Sequence, residues 1–190
     1  MTEGSAELQD ALIDGVAGAI LAGGRATRMG GQRKSFISVG GRRLIDRQLD
    51  VLRPLFGELI LVTNETAPYA GLGLTIVPDV ICGGGPLVGI LSALEAARAK
   101  RVLVVGCDMP YLTPEVIRLV ADPTANEDVV VPVMGGRPEP LLARYARTCV
   151  AAIRAHVDTG DLKVTGFFAE VAVRWIEETR LRLVDPLLAS

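Results

Sequence analysis

Short apolar runs without charged residues constrain the fold of this chain more than any other feature of its sequence. Runs of this length are typical of strands that are buried on both faces of a parallel sheet. They occupy residues 16–22, 59–62, 74–77, 102–105 and 129–133. A sheet built from such strands needs a layer of helices on each face to shield it from water.

Helical patterns lie between these runs. Apolar residues recur at helical spacing over residues 44–55, and Pro86 can begin a helix that reaches about residue 99. Thr113 and Pro114 form an N-cap and a first-turn proline, which predict a helix to about Ala121. The alternation predicts an α/β fold with a mostly parallel sheet, in which ligands bind outside the carboxyl ends of the strands.

The composition fits one compact domain with no nucleic-acid or membrane partner. Hydrophobic residues make up 49% of the 190 residues, and we expect a flexible lead-in over residues 1–15 and a single domain over residues 16–190. Twenty basic and 22 acidic residues give a net charge of −2, whereas binding along nucleic acid needs a basic face. No apolar run is long enough to span a bilayer.

The cysteine and histidine content indicates a reducing compartment. Cys82, Cys107 and Cys149 are widely spaced, and His156 is the only histidine, so a zinc site or a disulfide framework is not expected. The first residues, MTEGSAELQDALIDG, lack the basic and apolar segments of a signal peptide. We therefore expect a cytoplasmic protein.

A loop rich in glycine and arginine follows the first predicted strand. It covers residues 21–34, LAGGRATRMGGQRK, in which Arg25, Arg28, Arg33 and Lys34 add positive charge. Its four glycines let the backbone approach a ligand closely, and consecutive N–H groups can form an anion-binding nest. The glycine spacing matches neither GxxxxGK[ST] nor GxGxxG. The loop predicts a triphosphate site, and the alternative is a solvated basic loop.

Polar residues after the other strands complete the candidate site. Asp108 follows the most apolar strand and can bind Mg²⁺ between triphosphate oxygens, or else cap a turn. Asp79 can pair with a nucleobase, Asn64 can contact base or ribose, and the alternative for each is a turn residue. Arg137, in a rigid glycine–proline turn, can meet an acceptor phosphate or simply belong to a hairpin.

Other notable side chains are expected to be structural. We predict that His156 is a surface or packing residue on a helix rather than a base, and that Cys107 is a small buried residue. We expect Phe167, Phe168 and Trp175 to form the core of the C-terminal segment.

Taken together, these motifs resemble those of the molybdenum cofactor guanylyltransferases, the MobA family. The family has a loop of the form LAGGxxxRMGxxxK, an Asp before Gly-Pro-Leu-x-Gly, a Cys-Asp-x-Pro segment and a Gly-Arg-Pro-x-Pro-Leu turn. Their counterparts are residues 21–34, Asp79 with residues 85–89, residues 107–110 and residues 136–141. Order and spacing agree over about residues 16–145.

The resemblance implies a Rossmann-like three-layer α/β/α sandwich that binds GTP and Mg²⁺ and uses molybdopterin as acceptor. It implies GMP transfer with release of pyrophosphate, and molybdoenzymes or other cofactor-assembly proteins as further partners. The nucleotide-binding residues would be Leu21, Ala22, Gly23, Gly24, Lys34, Asn64, Asp79 and Asp108. Asp108 would hold the metal, Lys34 and Arg28 would act on the phosphates, and Arg137 would face the acceptor.

Three alternatives stay open. A cytidylyltransferase would share the fold, although the Gly23-Gly24 pair favours GTP, and a sugar-phosphate nucleotidyltransferase would use another acceptor. The family usually has a C-terminal segment of the type Asn-x-Asn-Thr-Pro-Glu-Asp, which residues 184–190 do not match. This difference favours the third alternative, a non-catalytic GTP-binding accessory protein of cofactor assembly.

Overall fold

The computed structural model describes residues 11–23, 34–81 and 83–186. Most of the predicted phosphate loop, including Gly24, Arg25, Arg28 and Arg33, lies outside the described residues, as does Cys82. For Lys34 the backbone alone is described.

The described residues form ten strands and five α-helices. The strands are β1 (Val16–Leu21), β2 (Ser38–Val39), β3 (Arg42–Arg43), β4 (Leu59–Val62), β5 (Thr75–Val77), β6 (Arg101–Gly106), β7 (Val129–Met134), β8 (Arg137–Pro138), β9 (Leu142–Ala146) and β10 (Val173–Ile176). The helices are α1 (Leu44–Leu52), α2 (Gly85–Ala96), α3 (Pro114–Ala121), α4 (Cys149–Thr159) and α5 (Glu178–Val184). Short 3₁₀ segments cover Lys34–Phe36, Ala67–Leu72 and Gly166–Glu170.

The central sheet is mostly parallel, which confirms the prediction. Its strand order is β10-β7-β9-β6-β1-β4-β5, with β8 paired to β7 and a separate β2–β3 hairpin. β1 pairs in parallel with β4 and β6, β4 with β5, and β7 with β10. β9 runs antiparallel to both of its neighbours, β6 and β7, and was not predicted.

Helices cover both faces, so the three-layer α/β/α architecture is also confirmed. Alternate residues of β6 enter different cores: Leu103 and Val105 pack on the side of α1, α3 and α5. Val102 and Val104 pack on the side of α2 and α4. The sheet is thus buried on both faces, which explains the continuous apolar runs. Among the described helices, none is long and apolar enough to cross a membrane.

Ile13 and Trp175 differ from expectation, whereas Phe167 and Phe168 do not. Ile13, within the predicted lead-in, is buried, and its N–H donates to the carbonyl oxygen of Leu55 at 2.8 Å. Phe167 and Phe168 are buried as predicted. The core prediction for Trp175 is wrong, because it lies on the edge strand β10 with 45% of its surface exposed. Its ring still contacts that of Phe168, with 5.8 Å between centroids.

The order of the strands reverses direction between β1 and β6, which makes the carboxyl ends of these two strands a topological switch point. From β1 the chain moves outward through β4 to β5 and then returns to place β6 on the other side of β1. In the central sheet the chain therefore continues from β1 towards one edge and from β6 towards the other. Ligands of open α/β sheets bind at such a switch point.

Candidate active site

The end of β1 lies at this switch point. The N–H of Ala22 donates to the carbonyl oxygen of Val62 at 2.9 Å, and the N–H of Cys107 donates to that of Leu21 at 3.2 Å. A Cβ on Gly89 would lie 3.2 Å from Leu21 Cδ1, so α2 packs closely against this strand end. Leu21 and Ala22 are thereby fixed in place, and Gly23 leads from them into the exposed edge.

Asn64 and Asp79 form a reciprocal pair at the ends of β4 and β5. Asn64 Nδ2 donates to Asp79 Oδ2 at 2.9 Å, and the backbone N–H of Asp79 donates to Asn64 Oδ1 at 2.9 Å. A Cβ on Gly23 would lie 3.8 Å from Asp79 Oδ2. The structure therefore brings together three of the predicted nucleotide-binding residues, Gly23, Asn64 and Asp79.

The environment of the Asp79 carboxyl affects its protonation. Partial burial raises its pKa, because a charged carboxylate is less stable away from water, and the bond from Asn64 opposes this change. A carboxylate has about four acceptor positions, of which the Asn64 bond uses one. The pair can thus accept further hydrogen bonds from a ligand with adjacent N–H groups.

Asp108 lies in a tight turn directly after β6. The N–H of Met109 donates to the carbonyl oxygen of Gly106 at 3.4 Å, and the N–H of Gly106 donates to that of Leu141 at 2.8 Å. A Cβ on Gly106 would lie 3.1 Å from Asp108 Oδ1 and 3.5 Å from Leu141 Cβ. The exposed Asp108 side chain therefore stands beside the segment that enters β9.

Glu139 is a candidate site residue that the sequence analysis missed. Its N–H donates to the carbonyl oxygen of Pro132 at 2.9 Å, and its own carbonyl accepts from Leu142 at 3.0 Å, which holds it at the start of β9. Burial raises the pKa of its carboxyl, and the negative charge of Asp108 raises it further. An acidic residue between Pro138 and Pro140, whose backbones are restricted, was the signal available in the sequence.

Asp108 and Glu139 offer oxygen ligands suited to a hard divalent cation. Such ions, Mg²⁺ above all, are commonly held by one or two carboxylates together with substrate phosphates. Within residues 11–23, 34–81 and 83–186, no group of three or more His, Cys, Asp or Glu side chains is placed to bind a metal ion. Substrate phosphate oxygens and waters are the ligands that usually complete the coordination of Mg²⁺ beside one or two carboxylates.

Arg137 lies in the predicted turn at the same edge of the sheet. Gly135 and Gly136 both have positive φ, 55° and 75°, and β8 pairs back on β7 through Arg137 and Met134. The N–H of Gly135 donates to Glu178 Oε2 at 2.8 Å, which fastens the hairpin to α5. The exposed Arg137 side chain is thus carried by a hairpin beside the ends of β7 and β9.

The remaining predicted residues lie elsewhere or are undescribed. Gly24 and Arg28 fall outside the described residues, and Lys34 begins the first 3₁₀ segment with no side chain described. His156 lies on α4, where its ring bonds to Asp161 and Glu170 in a surface cluster. Cys107 is buried, as predicted.

Comparisons with known proteins agree with this arrangement. The family model described as "MobA-like NTP transferase domain" matches residues 18–174. The chain is 41% identical over 165 residues to a "Probable molybdenum cofactor guanylyltransferase" of Pelotomaculum thermopropionicum, covering 87% of this chain and 80% of the relative. It is 36% identical over 179 residues to the "Molybdenum cofactor guanylyltransferase" of Desulfosudis oleivorans, covering 94% and 89%.

A solved structure shows the same fold. The crystal structure of molybdopterin-guanine dinucleotide biosynthesis protein A from Archaeoglobus fulgidus superimposes with a TM-score of 0.78 at 26% sequence identity. The match covers 90% of this chain and 88% of that protein.

Proposed function

This chain belongs to the MobA-like NTP transferase domain family, and on this premise we propose that it transfers GMP from GTP to molybdopterin bearing molybdenum. The products are the guanine dinucleotide form of the cofactor and pyrophosphate. We assign the reaction to a single nucleotidyltransferase domain over residues 16–190.

The order of side chains along the carboxyl edge of the sheet supports this proposal. Asn64 and Asp79 follow β4 and β5, Gly23 follows β1, and Asp108 and Glu139 flank the β6–β9 pair. Neighbouring strands are about 4.8 Å apart, so β5 and β6 are separated by roughly 14 Å with β4 and β1 between them. A nucleotide lying along this edge would have its base at Asp79 and its phosphates near Asp108.

The Asn64–Asp79 pair favours guanine over cytosine. Guanine presents two adjacent donors, its ring N1–H and its amino group, and one carboxylate can accept both. Cytosine presents a single amino donor beside acceptor atoms, which a carboxylate would repel. Since Asn64 holds the carboxylate in place from the other side, Asp79 is ready to accept from a base without rearranging.

We propose Mg²⁺ as the metal, held by Asp108 with Glu139 beside it. The fit rests on the chemistry of the donors: the exposed carboxylate of Asp108 lies close enough to the half-buried carboxylate of Glu139 for their charges to interact. When bound, the ion would neutralise charge on the α-phosphate and on the leaving pyrophosphate.

The remaining roles rest on the sequence motif. The terminal phosphate of molybdopterin would attack the α-phosphorus of GTP in line, and it needs no general base because it is already anionic. Lys34 and Arg28 would bind the triphosphate, and Gly24 would contribute to the loop around it. Arg137 would bind the acceptor phosphate from the β7–β8 hairpin, and the cytoplasm would be the compartment of the reaction.

The experiment that tests this function compares two proteins in one assay. Wild type is incubated with GTP, Mg²⁺ and molybdopterin, and pyrophosphate is measured together with the mass of the nucleotide product. We expect the guanine dinucleotide cofactor from wild type, and a fall of at least about a hundredfold in turnover for Asp108→Asn, because electrostatic groups of this kind contribute that much. Absence of the guanine dinucleotide product from wild type, or near wild-type turnover of Asp108→Asn, would refute the assignment.

A further inference from the structure

Gln48 is a buried polar residue on the otherwise apolar inner face of α1. Its side chain is only 1% exposed. The buried residues around it on the same helix are apolar: Leu44, Ile45, Leu49 and Leu52. A polar group in such a position needs a specific explanation, because an apolar side chain of similar size would pack there without any loss of hydration.

The contacts of Gln48 bracket Asp108. Gln48 Nε2 donates to the carbonyl oxygen of Gly106 at 2.7 Å and to that of Met109 at 3.1 Å. The amide nitrogen carries two hydrogens, one for each carbonyl. These two carbonyls belong to the first and last residues of the turn that carries Asp108, so one side chain holds both ends of the turn.

The other atom of the same amide shows that this arrangement is not optimised for stability. Gln48 Oε1 is buried and has no hydrogen-bond partner in the described part of the chain. A buried oxygen without a partner lowers the stability of the folded state. Since both neighbouring groups are carbonyl acceptors, the amide cannot turn over to improve this. The glutamine is better explained by what it does to the turn than by its packing.

α1 also follows directly from the segment that begins at Lys34. The 3₁₀ segment Lys34–Phe36 leads through the β2–β3 hairpin into the helix, and the N–H of Leu44 donates to the carbonyl oxygen of Ile37 at 3.0 Å. The helix therefore connects two parts of the site, the end of the phosphate loop and the Asp108 turn.

We propose that Gln48 is a positioning residue for the metal-binding carboxylate, fixing the turn of residues 106–109 so that Asp108 meets the metal and the nucleotide phosphates. This inference rests on the proposed function for the role of Asp108. Gln48 itself is buried beneath the turn. It acts by restricting the backbone on both sides of Asp108, so the bound geometry exists before the metal arrives.

The test measures metal affinity separately from turnover. Mn²⁺ is titrated into wild type and Gln48→Met in the presence of GTP and without acceptor, and free Mn²⁺ is followed by electron paramagnetic resonance. We expect the Mn²⁺ dissociation constant to rise about tenfold or more. Excess Mn²⁺ should then restore much of the lost turnover, whereas GTP affinity without metal should stay close to wild type.

Leu52→Ala is the matched control, because Leu52 is buried in the same helix and the hydrogen bonds that hold the turn do not involve it. It should lower the melting temperature and leave the Mn²⁺ dissociation constant unchanged. If Gln48→Met does not fold, Gln48→Leu is the second variant. We expect the same rise in its Mn²⁺ dissociation constant.

An unchanged Mn²⁺ dissociation constant in a folded Gln48 variant would overturn the inference, as would an equal rise in Leu52→Ala. Failure of the proposed function looks different: wild type would bind Mn²⁺ and GTP normally but form no dinucleotide product with molybdopterin.

Discussion

Asp79 is the residue at which the choice of nucleotide should be decided. In Asp79→Asn the side-chain oxygen can still accept from Asn64 Nδ2. The other carboxylate oxygen, which would accept a hydrogen bond from the base, is replaced by an NH₂ group that donates. For Asp79→Asn we expect GTP affinity to fall by about tenfold to a hundredfold, since a two-bond contact to a base contributes roughly 1–3 kcal/mol. CTP affinity should not fall. Calorimetric titration with both nucleotides measures this.

Asp158→Asn provides the matched control for that experiment, because Asp158 is an exposed residue of α4. It should bind GTP like wild type. Equal losses of GTP and CTP affinity in Asp79→Asn would mean that the residue supports the loop rather than selects the base.

Glu139 should contribute to the metal site through its position beside Asp108. We expect Glu139→Gln to weaken Mn²⁺ binding in the presence of GTP by about tenfold, because it removes a negative charge close to the cation. The same exchange at Glu95, in the last turn of α2 at the opposite edge of the sheet, should have no effect. Unchanged Mn²⁺ affinity in Glu139→Gln would exclude Glu139 from the metal site.

At the scale of single residues, the sequence predicted which side chains could bind the nucleotide but not which of them contact one another. Asn64 and Asp79 were each predicted to contact the nucleotide, yet their mutual hydrogen bonds depend on the adjacency of β4 and β5. Glu139 was missed because its place beside Asp108 depends on β9 lying next to β6. Neither adjacency is contained in the local sequence of one strand.

Among the elements, the end of α4 carries a pH-sensitive cluster. His156 Nε2 bonds to Glu170 at 2.6 Å and Nδ1 to Asp161 at 2.9 Å, which ties α4 to the last 3₁₀ segment. These hydrogen bonds, above all the one to Glu170, raise the pKa of His156 above the usual histidine value of 6.5. The stabilisation is fully present below pH 6.5 and is lost as the pH rises through the raised pKa of the folded state.

We therefore expect His156→Gln to lower the melting temperature more below the usual histidine pKa of 6.5 than at alkaline pH above the raised pKa of the folded state. In acid the difference in melting temperature between wild type and His156→Gln should shrink again. The pKa of Asp161 is lowered in the folded state, so the stabilisation that this carboxylate provides is lost as the pH falls through that pKa. His156 is the only histidine, so a proton NMR titration reports its pKa directly. A melting-temperature difference independent of pH would contradict this account.

The limits of the elements show where sequence patterns fail. α2 ends at Ala96 rather than near residue 99, because the N–H groups of Arg98 and Ala99 donate to the Glu58 carboxylate instead of to helix carbonyls. Strand β9 was missed, and it contains Arg144, a charged residue that would be expected to face solvent. Arg144 is fully buried and donates to the carbonyl oxygens of Ala125 and Glu127.

At the scale of the whole molecule, the fold class was predictable and the antiparallel strand was not. Apolar runs buried on both faces allow few architectures, and the observed sheet is one of them. Strand order is set by contacts between distant segments, such as the parallel pairing of β1 with both β4 and β6. That pairing creates the switch point and assembles the site from five separate loops and strand ends.

The central claim is that this edge of the sheet selects guanine and transfers it as GMP to molybdopterin. The most direct measurement supplies GTP and CTP together at equal concentration with Mg²⁺ and molybdopterin and identifies the dinucleotide product by mass. We expect the guanine dinucleotide cofactor to be formed in at least about tenfold excess, because the proposed pairing of Asp79 with the base favours guanine. A cytosine dinucleotide as the main product, or bound GTP with no transfer, would contradict it.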